Sequence, residues 1–249
     1  MIGIGTLVNI ATILIGSTIG VFVGGKLPEK TNRTVTDSLG LVTLVLGGLN
    51  LMSLTDSAFV KAAGVVGPFM IVIFAILLGG ITGSQAGIEQ HLEGFGGWLQ
   101  KRLSRGAEAG TEARARFITG FVDASLIFAI GPMAILGSMS DGMGHGPTTL
   151  IIKAILDGFA SVAFAASLGW GVAASAITVG AWQFLITFIS AFAGEFIPYA
   201  MVASITATGG LLMVAIGIRL LNLKRIAVAD MLPALVFAPV LTWLVSLLW

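Results

Sequence analysis

Runs of apolar residues constrain the fold of this chain more than any other feature. About eight stretches of roughly 20 residues carry very few charged side chains, and a helix of that length crosses the hydrocarbon core of a bilayer. Soluble domains carry about 25% charged residues, whereas this chain carries 10%. The pattern predicts an all-α, polytopic transmembrane helix bundle. The predicted spans are Ile4–Gly24, Val35–Leu54, Val60–Gly83, Phe117–Ser138, Thr148–Leu168, Val172–Gly194, Tyr199–Leu221 and Val228–Leu248.

The distribution of basic residues decides how many spans to expect. Only the short Gly169-Trp170-Gly171 segment separates the fifth span from the sixth, so the two also fit one bent element. With eight spans, most Lys and Arg residues share one side, which the positive-inside rule assigns to the cytoplasm. We therefore expect eight spans, with both termini outside the cytoplasm. The cytoplasmic group is Lys26, Lys30, Arg33, Lys101, Arg102, Arg105, Arg114, Arg116, Arg219, Lys224 and Arg225, against Lys61 and Lys153 opposite.

The longest stretch between spans is a cytoplasmic loop at about residues 84–115. Within it, apolar residues recur at helical spacing from Ile88 to Arg105, flanked by Trp98 and the basic pair Lys101-Arg102. This pattern is typical of an amphipathic helix that lies on the anionic inner leaflet. We expect no separate soluble domain, so residues 1–249 form a single integral membrane domain.

The first three spans resemble the last three. The segment from Gly40 to Gly47 in the second span aligns with the segment from Gly210 to Gly217 in the seventh. An offset of five spans reverses the orientation, so the likeness predicts an inverted-topology repeat with spans four and five in the centre. Secondary transporters commonly have such repeats. The alternative is a chance match between glycine-rich apolar helices.

Charged residues inside the predicted spans are the strongest candidates for chemistry. A centred Asp or Lys costs about 2.5–3.5 kcal/mol on insertion scales, so it has a partner or a function. Asp157 lies midway along the fifth span, and Lys153 precedes it by one helical turn. The pair is either structural or part of a proton or cation site. Asp123 in the fourth span either faces the same cavity or extends towards water.

The fourth span also contains a helix breaker. Pro132, after Gly131, removes a backbone donor and clashes with the preceding turn. Broken helices hold ions or substrates in transporters, although a simple proline kink is the alternative. We expect Ser140–Pro147 beyond it to be an outward loop, in which Asp141 and His145 make a poor cation site.

Uncharged polar residues at membrane depth complete the candidate site. Asn9, Asn50 and Gln183 are suited to hydrogen bonds between helices, and direct contact with a solute is the other interpretation. Gly16, Gly20 and Gly24 form a stripe of small residues that predicts a close helix contact, within the bundle or between protomers. The full candidate ion or substrate site is Asp157, Asp123, Lys153, Asn9, Ser125, Ser161, Gly131, Pro132 and Ser138.

Several classes of function are disfavoured by composition. The chain has no cysteine and two histidines, so we expect no disulfide and no thiolate- or histidine-rich metal site. A net charge of +1 does not suggest nucleic acid as a partner. Neither a nucleophile–base set nor a dinucleotide motif is recognisable. We therefore expect no enzyme activity and no cofactor.

Several segments resemble a bacterial family of uncharacterised membrane proteins typified by YqgA and YdfK. They are Gly5-Thr6-Leu7-Val8-Asn9, the block from Ile130 to Ser138 followed by Asp141-Gly142, Lys153 with Leu156–Ser161, and Leu232-Pro233-Ala234-Leu235. The resemblance extends over essentially the whole chain. It implies a location in the bacterial inner membrane and brings no substrate or catalytic residue with it.

Our leading hypothesis is a small secondary transporter, coupled to protons or a cation, whose substrate the sequence does not identify. Its partners would be the lipid bilayer and a small solute or ion, and homo-oligomers are compatible with the glycine stripe. The alternatives are a non-transporting membrane scaffold or partner subunit and, less favoured, an intramembrane enzyme.

Overall fold

The protein is a bundle of α-helices. A computed structural model describes residues 2–25, 28–103, 111–129, 131–193 and 197–248, and these residues form helices and turns without strands. Lys26, Arg105 and the part of the long loop at 104–110 lie outside the described residues. The helices are α1 (Ile4–Gly24), α2 (Glu29–Leu51), α3 (Ser57–Ala63), α4 (Gly67–Ala86), α5 (Ile88–Leu103), α6 (Thr111–Ala129), α7 (Pro132–Gly142), α8 (Thr148–Leu168), α9 (Gly171–Ala193), α10 (Tyr199–Leu220) and α11 (Ala234–Ser246).

The prediction of a multi-pass helical membrane protein is confirmed. Seven helical segments of the described residues are long and apolar enough to cross a bilayer. Helices α6 and α7 together form an eighth candidate span, which bends by 63° at the break between them. The pair runs along α9: Gly171 at the start of α9 packs on the carbonyl of Phe117, and Gly142 packs on the carbonyl of Thr187. Because the pair covers most of α9, we count it as one broken span.

Helices α8 and α9 are separate spans. Gly16 and Gly24 of α1 pack against Gly158 and Ala166 of α8, so these two helices run parallel. Helix α9 runs the opposite way, because Gly3 just before α1 packs against Phe184 of α9, whereas Ile10 packs against the earlier residue Gly180. The turn between α8 and α9 contains Gly169, whose φ of 74° suits glycine.

Two predicted spans are interrupted where the sequence suggested continuous helices. The third was expected over Val60–Gly83, but α3 ends at Ala63, before Gly64 with its φ of 73°, and α4 begins at Gly67. The eighth was expected from Val228, but a 3₁₀ turn and Pro233 precede α11. Glycine in the left-handed region ends a regular helix, and proline, which has no amide donor, is favoured at the start of a helix and interrupts a longer one.

The chain divides into two compact units. Unit 1 comprises Met1–Leu39, His91–Ala129 and Met133–Glu195, and unit 2 comprises Gly40–Gln90, Ile130–Pro132 and Phe196–Trp249. Helices α1, α6, α8 and α9 pack together in unit 1, whereas α3, α4, α10 and α11 pack together in unit 2. Most of the buried polar side chains belong to unit 1.

The glycine stripe of α1 makes an intramolecular contact. A Cβ atom at Gly16, Gly20 or Gly24 would lie 2.2, 2.3 or 2.0 Å from a backbone carbonyl oxygen of α8. Real side chains do not approach so closely, so only glycine permits this packing. The stripe therefore serves the bundle itself.

Two glycine pairs in unit 2 bear on the predicted inverted repeat. The alignment equates Gly40 with Gly210 and Gly47 with Gly217. In unit 2, a Cβ at Gly40 would lie 3.2 Å from the Gly217 carbonyl oxygen, and one at Gly47 would lie 2.8 Å from that of Gly210. If each glycine is replaced by its equivalent in the other repeat, the Gly40–Gly217 contact becomes the Gly47–Gly210 contact. A two-fold relationship between the repeats requires this correspondence. The repeat remains a prediction that this reciprocity favours.

Neighbouring glycines of α4 provide a test of helix packing in unit 2. A Cβ at Gly79 would lie 2.4 Å from the backbone nitrogen of Ala234, whereas one at Gly80 meets nothing within 4 Å. We expect Gly79→Ala to lower the free energy of unfolding by about 1–3 kcal/mol through overpacking. The matched Gly80→Ala should leave it unchanged or raise it by up to about 1 kcal/mol, because alanine favours helix. Equilibrium unfolding in detergent–SDS mixtures measures both, and equal stability of the two variants would contradict the packing.

Candidate functional site

A buried ion pair on α8 lies within unit 1. The Lys153 ammonium donates to the Asp157 carboxylate, and these residues are 7% and 8% exposed. Their spacing of four residues places both side chains on one face of the helix. Because burial of either charge alone is costly, each group stabilises the charged form of the other. The structure thus brings together two of the charged residues that the sequence indicated.

Asn9 links the ion pair to α9. Its side-chain amide donates to Oε1 of Gln183 at 3.2 Å and is also within hydrogen-bonding reach of Asp157. Asn9 and Gln183 are both 0% exposed. The group on α1, α8 and α9 therefore combines a carboxylate, an ammonium and two amides in one polar cluster.

Several polar atoms around this cluster have no hydrogen-bond partner. Among the described residues they include Oδ1 of Asn9, Nε2 of Gln183 and Oγ of Ser161. Ser161 lies one turn after Asp157 on α8, and its Cβ is 3.1 Å from the position of a Cβ at Gly16. Buried polar atoms in proteins are nearly always paired, so water, an ion or a solute bound here would supply the missing hydrogen-bond partners.

The remaining candidates of the central spans, Asp123 and Ser125, lie on α6. Asp123 is completely buried on α6. Ser125, two residues later, shares a 2.6 Å hydrogen bond with Thr178 on α9. This bond joins α6 to α9 and gives Ser125 a packing role. Asp157 accepts a hydrogen bond from Lys153 and lies within hydrogen-bonding reach of Asn9.

The break in the fourth span holds the other candidates. Gly131 is half-buried in the break, and Pro132 is the first residue of α7. The expected loop from Ser140 is shorter than predicted, because α7 continues to Gly142 and contains Asp141. Asp141 is 1% exposed and accepts a 3.1 Å hydrogen bond from the backbone amide of Gly5. His145 is exposed.

Four buried hydroxyl groups belong to residues near Asp141, Gly142 or Gly5, and sequence reasoning had identified only one of them, Ser138. Their oxygen atoms have no hydrogen-bond partner, and their side chains are at most 2% exposed. The sequence did contain a signal for two of the others, because Thr187 and Ser190 are three residues apart and therefore share a helix face. The four, which we call the hydroxyl cluster, are Thr6 on α1, Ser138 on α7 and both Thr187 and Ser190 on α9.

A separate network lies in unit 2. Glu89, at the start of α5, accepts from Arg219 at 3.0 Å and from the backbone amide of Ala229 at 2.7 Å. The Glu89 amide in turn donates to Asp230 at 2.8 Å. The Asp230 side chain thus caps the start of α5, and the Glu89 side chain caps the 3₁₀ turn at Ala229. This network fixes the start of α5.

Helix α5 also packs on α6 within unit 1. Phe95 stacks on Trp98 and lies 5.8 Å from the Phe121 ring, measured between centroids. Arg102 lies over the Trp98 ring at 5.4 Å. The exposed aromatic side chains and Arg102 suit the interfacial position predicted for this helix, which remains a prediction.

No metal centre of conventional ligands is evident in the part of the chain that the structure describes. That part contains no group of three or more His, Asp or Glu residues able to hold a metal ion.

Comparison with known proteins extends over nearly the whole chain. The chain is 30% identical over 235 residues to "Uncharacterized protein YqgA" of Escherichia coli (strain K12), and the aligned region covers 94% of each protein. It is 25% identical over 243 residues to "Uncharacterized membrane protein YdfK" of Bacillus subtilis (strain 168), covering 97% of this chain and 96% of that protein. No solved structure matches. The family described as "Protein of unknown function (DUF554)" matches residues 4–243, and the chain belongs to that family.

Proposed function

We propose that this membrane protein is a secondary transporter of a small solute or ion, coupled to protons or a cation. The observation that carries the proposal is the Lys153–Asp157 ion pair, buried within unit 1 on a span of a membrane protein. Ionisable groups at membrane depth are rare and mark ion or substrate pathways.

The surroundings of the ion pair favour a path over mere packing. A purely structural pair is best stabilised when neighbouring polar atoms are all hydrogen-bonded. Here Asn9 Oδ1, Gln183 Nε2 and Ser161 Oγ lack partners. A passing solute or ion would satisfy them in turn, and water would do so between transport events.

The broken span and the predicted repeat agree with this function. Backbone groups freed by a helix break at membrane depth must face protein or a watery cavity. Transporters place such breaks at their binding sites, between inverted repeats. The break between α6 and α7 and the reciprocal glycine contacts of unit 2 fit that pattern.

Ligand-dependent stability of the purified protein tests the proposal. The protein in detergent is screened against ions and small metabolites, and each hit is then assayed for uptake into proteoliposomes. A ligand at a hundredfold excess over Kd stabilises the folded state by about 2.7 kcal/mol. We expect one solute to stabilise the parent and to be taken up, and we expect Asp157→Asn to lose both effects.

The control for this experiment is Asp37→Asn. Asp37 is half-buried on α2 and takes part in neither ion pair of the described residues. It should bind and transport like the parent, and Asp123→Asn tests the second predicted carboxylate. If no solute stabilises the parent and Asp157→Asn only melts at a lower temperature, the carboxylate is structural. A scaffold that binds one stoichiometric partner would then be the better hypothesis.

A further inference from the structure

Asp141 is a buried carboxylate whose charge is only partly compensated. Its one hydrogen bond among the described residues comes from the Gly5 amide at the start of α1. The two ion pairs of the described part of the chain join other residues, Lys153 with Asp157 and Arg219 with Glu89. An amide at a helix start supplies a partial positive charge, whereas a carboxyl group that is 1% exposed requires a full counter-charge, extensive hydrogen bonding or a bound proton.

The residues of the hydroxyl cluster are close neighbours of Asp141 or of the residues beside it. Thr6 follows Gly5 on α1, and Ser138 precedes Asp141 by one turn of α7. Ser190 of α9 is adjacent to the end of α7, because its Cβ lies 2.9 Å from the position of a Cβ at Gly142. The helices α1, α7 and α9 thus place residues with unpartnered hydroxyl oxygens next to Gly5, Asp141 and Gly142.

We propose that Asp141 and the hydroxyl cluster bind a monovalent alkali cation. Hydroxyl and carboxylate oxygens are the ligands that hard cations prefer. A bound cation would neutralise the carboxylate and give the unpartnered hydroxyl oxygens an electrostatic partner. Water alone would satisfy the hydroxyl groups and leave the carboxylate charge uncompensated.

The charge of the site selects a monovalent ion. One carboxylate and four neutral hydroxyl groups carry a single negative charge. Ca²⁺ sites generally use several carboxylates, and Mg²⁺ retains much of its hydration shell. This inference is independent of transport, because binding to the purified protein is measured without any solute moving across a membrane.

Equilibrium binding of ²²Na⁺ to the purified full-length protein in detergent tests the site. We expect saturable binding to the parent that unlabelled NaCl or KCl displaces and choline chloride does not. Asp141→Asn keeps an oxygen that accepts from Gly5 but removes the charge, and it should bind no ²²Na⁺. Absence of saturable binding in the parent, or binding by Asp141→Asn as in the parent, would overturn the proposal.

Serine variants give a second test if Asp141→Asn fails to fold. We expect Ser138→Ala and Ser190→Ala to raise the Na⁺ concentration for half-saturation at least tenfold. The matched control is Ser175→Ala, because Ser175 is also buried on α9 but its hydroxyl donates to the Val172 carbonyl. It should stay within twofold of the parent, and equal effects at Ser175 and Ser190 would contradict the site.

Asp157→Asn separates this inference from the proposed transport function. The cation site does not include Asp157, so this variant should retain ²²Na⁺ binding within twofold of the parent while losing solute uptake. Loss of ²²Na⁺ binding in Asp157→Asn would place the cation at the Lys153–Asp157 pair and would overturn the assignment to Asp141. Failure of the solute screen alone would leave the measured Na⁺ site unaffected.

Discussion

Replacing Lys153 with methionine is expected to lower the free energy of unfolding by about 3–5 kcal/mol. The ammonium is the ion-pair partner of Asp157, and both residues are buried in unit 1. Methionine preserves much of the side-chain volume, so the loss arises from the unpaired carboxylate and little of it from packing. Equilibrium unfolding in detergent–SDS mixtures measures the change.

Removing both charges should recover most of that loss. Buried ion pairs that are replaced by apolar residues of similar volume often leave stability unchanged or increased, so Lys153→Met with Asp157→Leu should unfold close to the parent. Lys61→Met is the control, because Lys61 is exposed on α3 and should change stability by no more than about 0.5 kcal/mol. A double variant no more stable than Lys153→Met would mean that the cost lies outside the pair.

The same variants distinguish a structural pair from a functional one. If the pair is only structural, the double variant folds and the protein keeps whatever activity the parent has. If the pair lies on a transport path, the double variant folds and solute uptake is lost. The free energy of unfolding therefore reports the structural role of the two side chains, and solute uptake reports their role in transport.

The helices of this protein were predictable because lipid imposes a simple requirement on each span. A backbone in hydrocarbon must satisfy its own hydrogen bonds, so a run of about 20 apolar residues becomes a helix whatever its neighbours. The ranges Ile4–Gly24 and Thr148–Leu168, expected from composition alone, are the observed bounds of α1 and α8. The sequence also predicted a close contact for the glycine stripe of α1. It left open whether the partner helix belongs to the same molecule or to another protomer.

The site was harder to predict because its members belong to distant parts of the chain. Lys153 and Asp157 are four residues apart, so helical spacing alone brought them together. Asn9 and Gln183 are separated by most of the sequence, and only the packing of α1 on α9 joins them. Asp141 was assigned to a loop because glycines follow it, yet α7 continues through it since Met143 and Gly144 still donate to helical carbonyls.

Replacing Glu89 with alanine is expected to loosen the start of α5 and to lower the free energy of unfolding by about 2–3 kcal/mol. The substitution removes the ion pair with Arg219 and the hydrogen bond from the Ala229 amide. Hydrogen bonds to charged groups contribute about 1.5–3 kcal/mol, and partial exposure of the ion pair reduces its share. The remaining bond from the Glu89 amide to Asp230 is made by the backbone, so it survives the substitution unless the helix start itself moves.

Glu93→Ala provides the matched control, because Glu93 is exposed one turn further along α5. Loss of a surface carboxylate there should change stability by no more than about 0.5 kcal/mol. Local opening should also speed tryptic cleavage after Arg102 in Glu89→Ala and leave it unchanged in Glu93→Ala, since cleavage follows the population of the open state. If the two variants unfold and cleave alike, contacts of α5 with α6, such as Phe95 on Phe121, hold the helix instead.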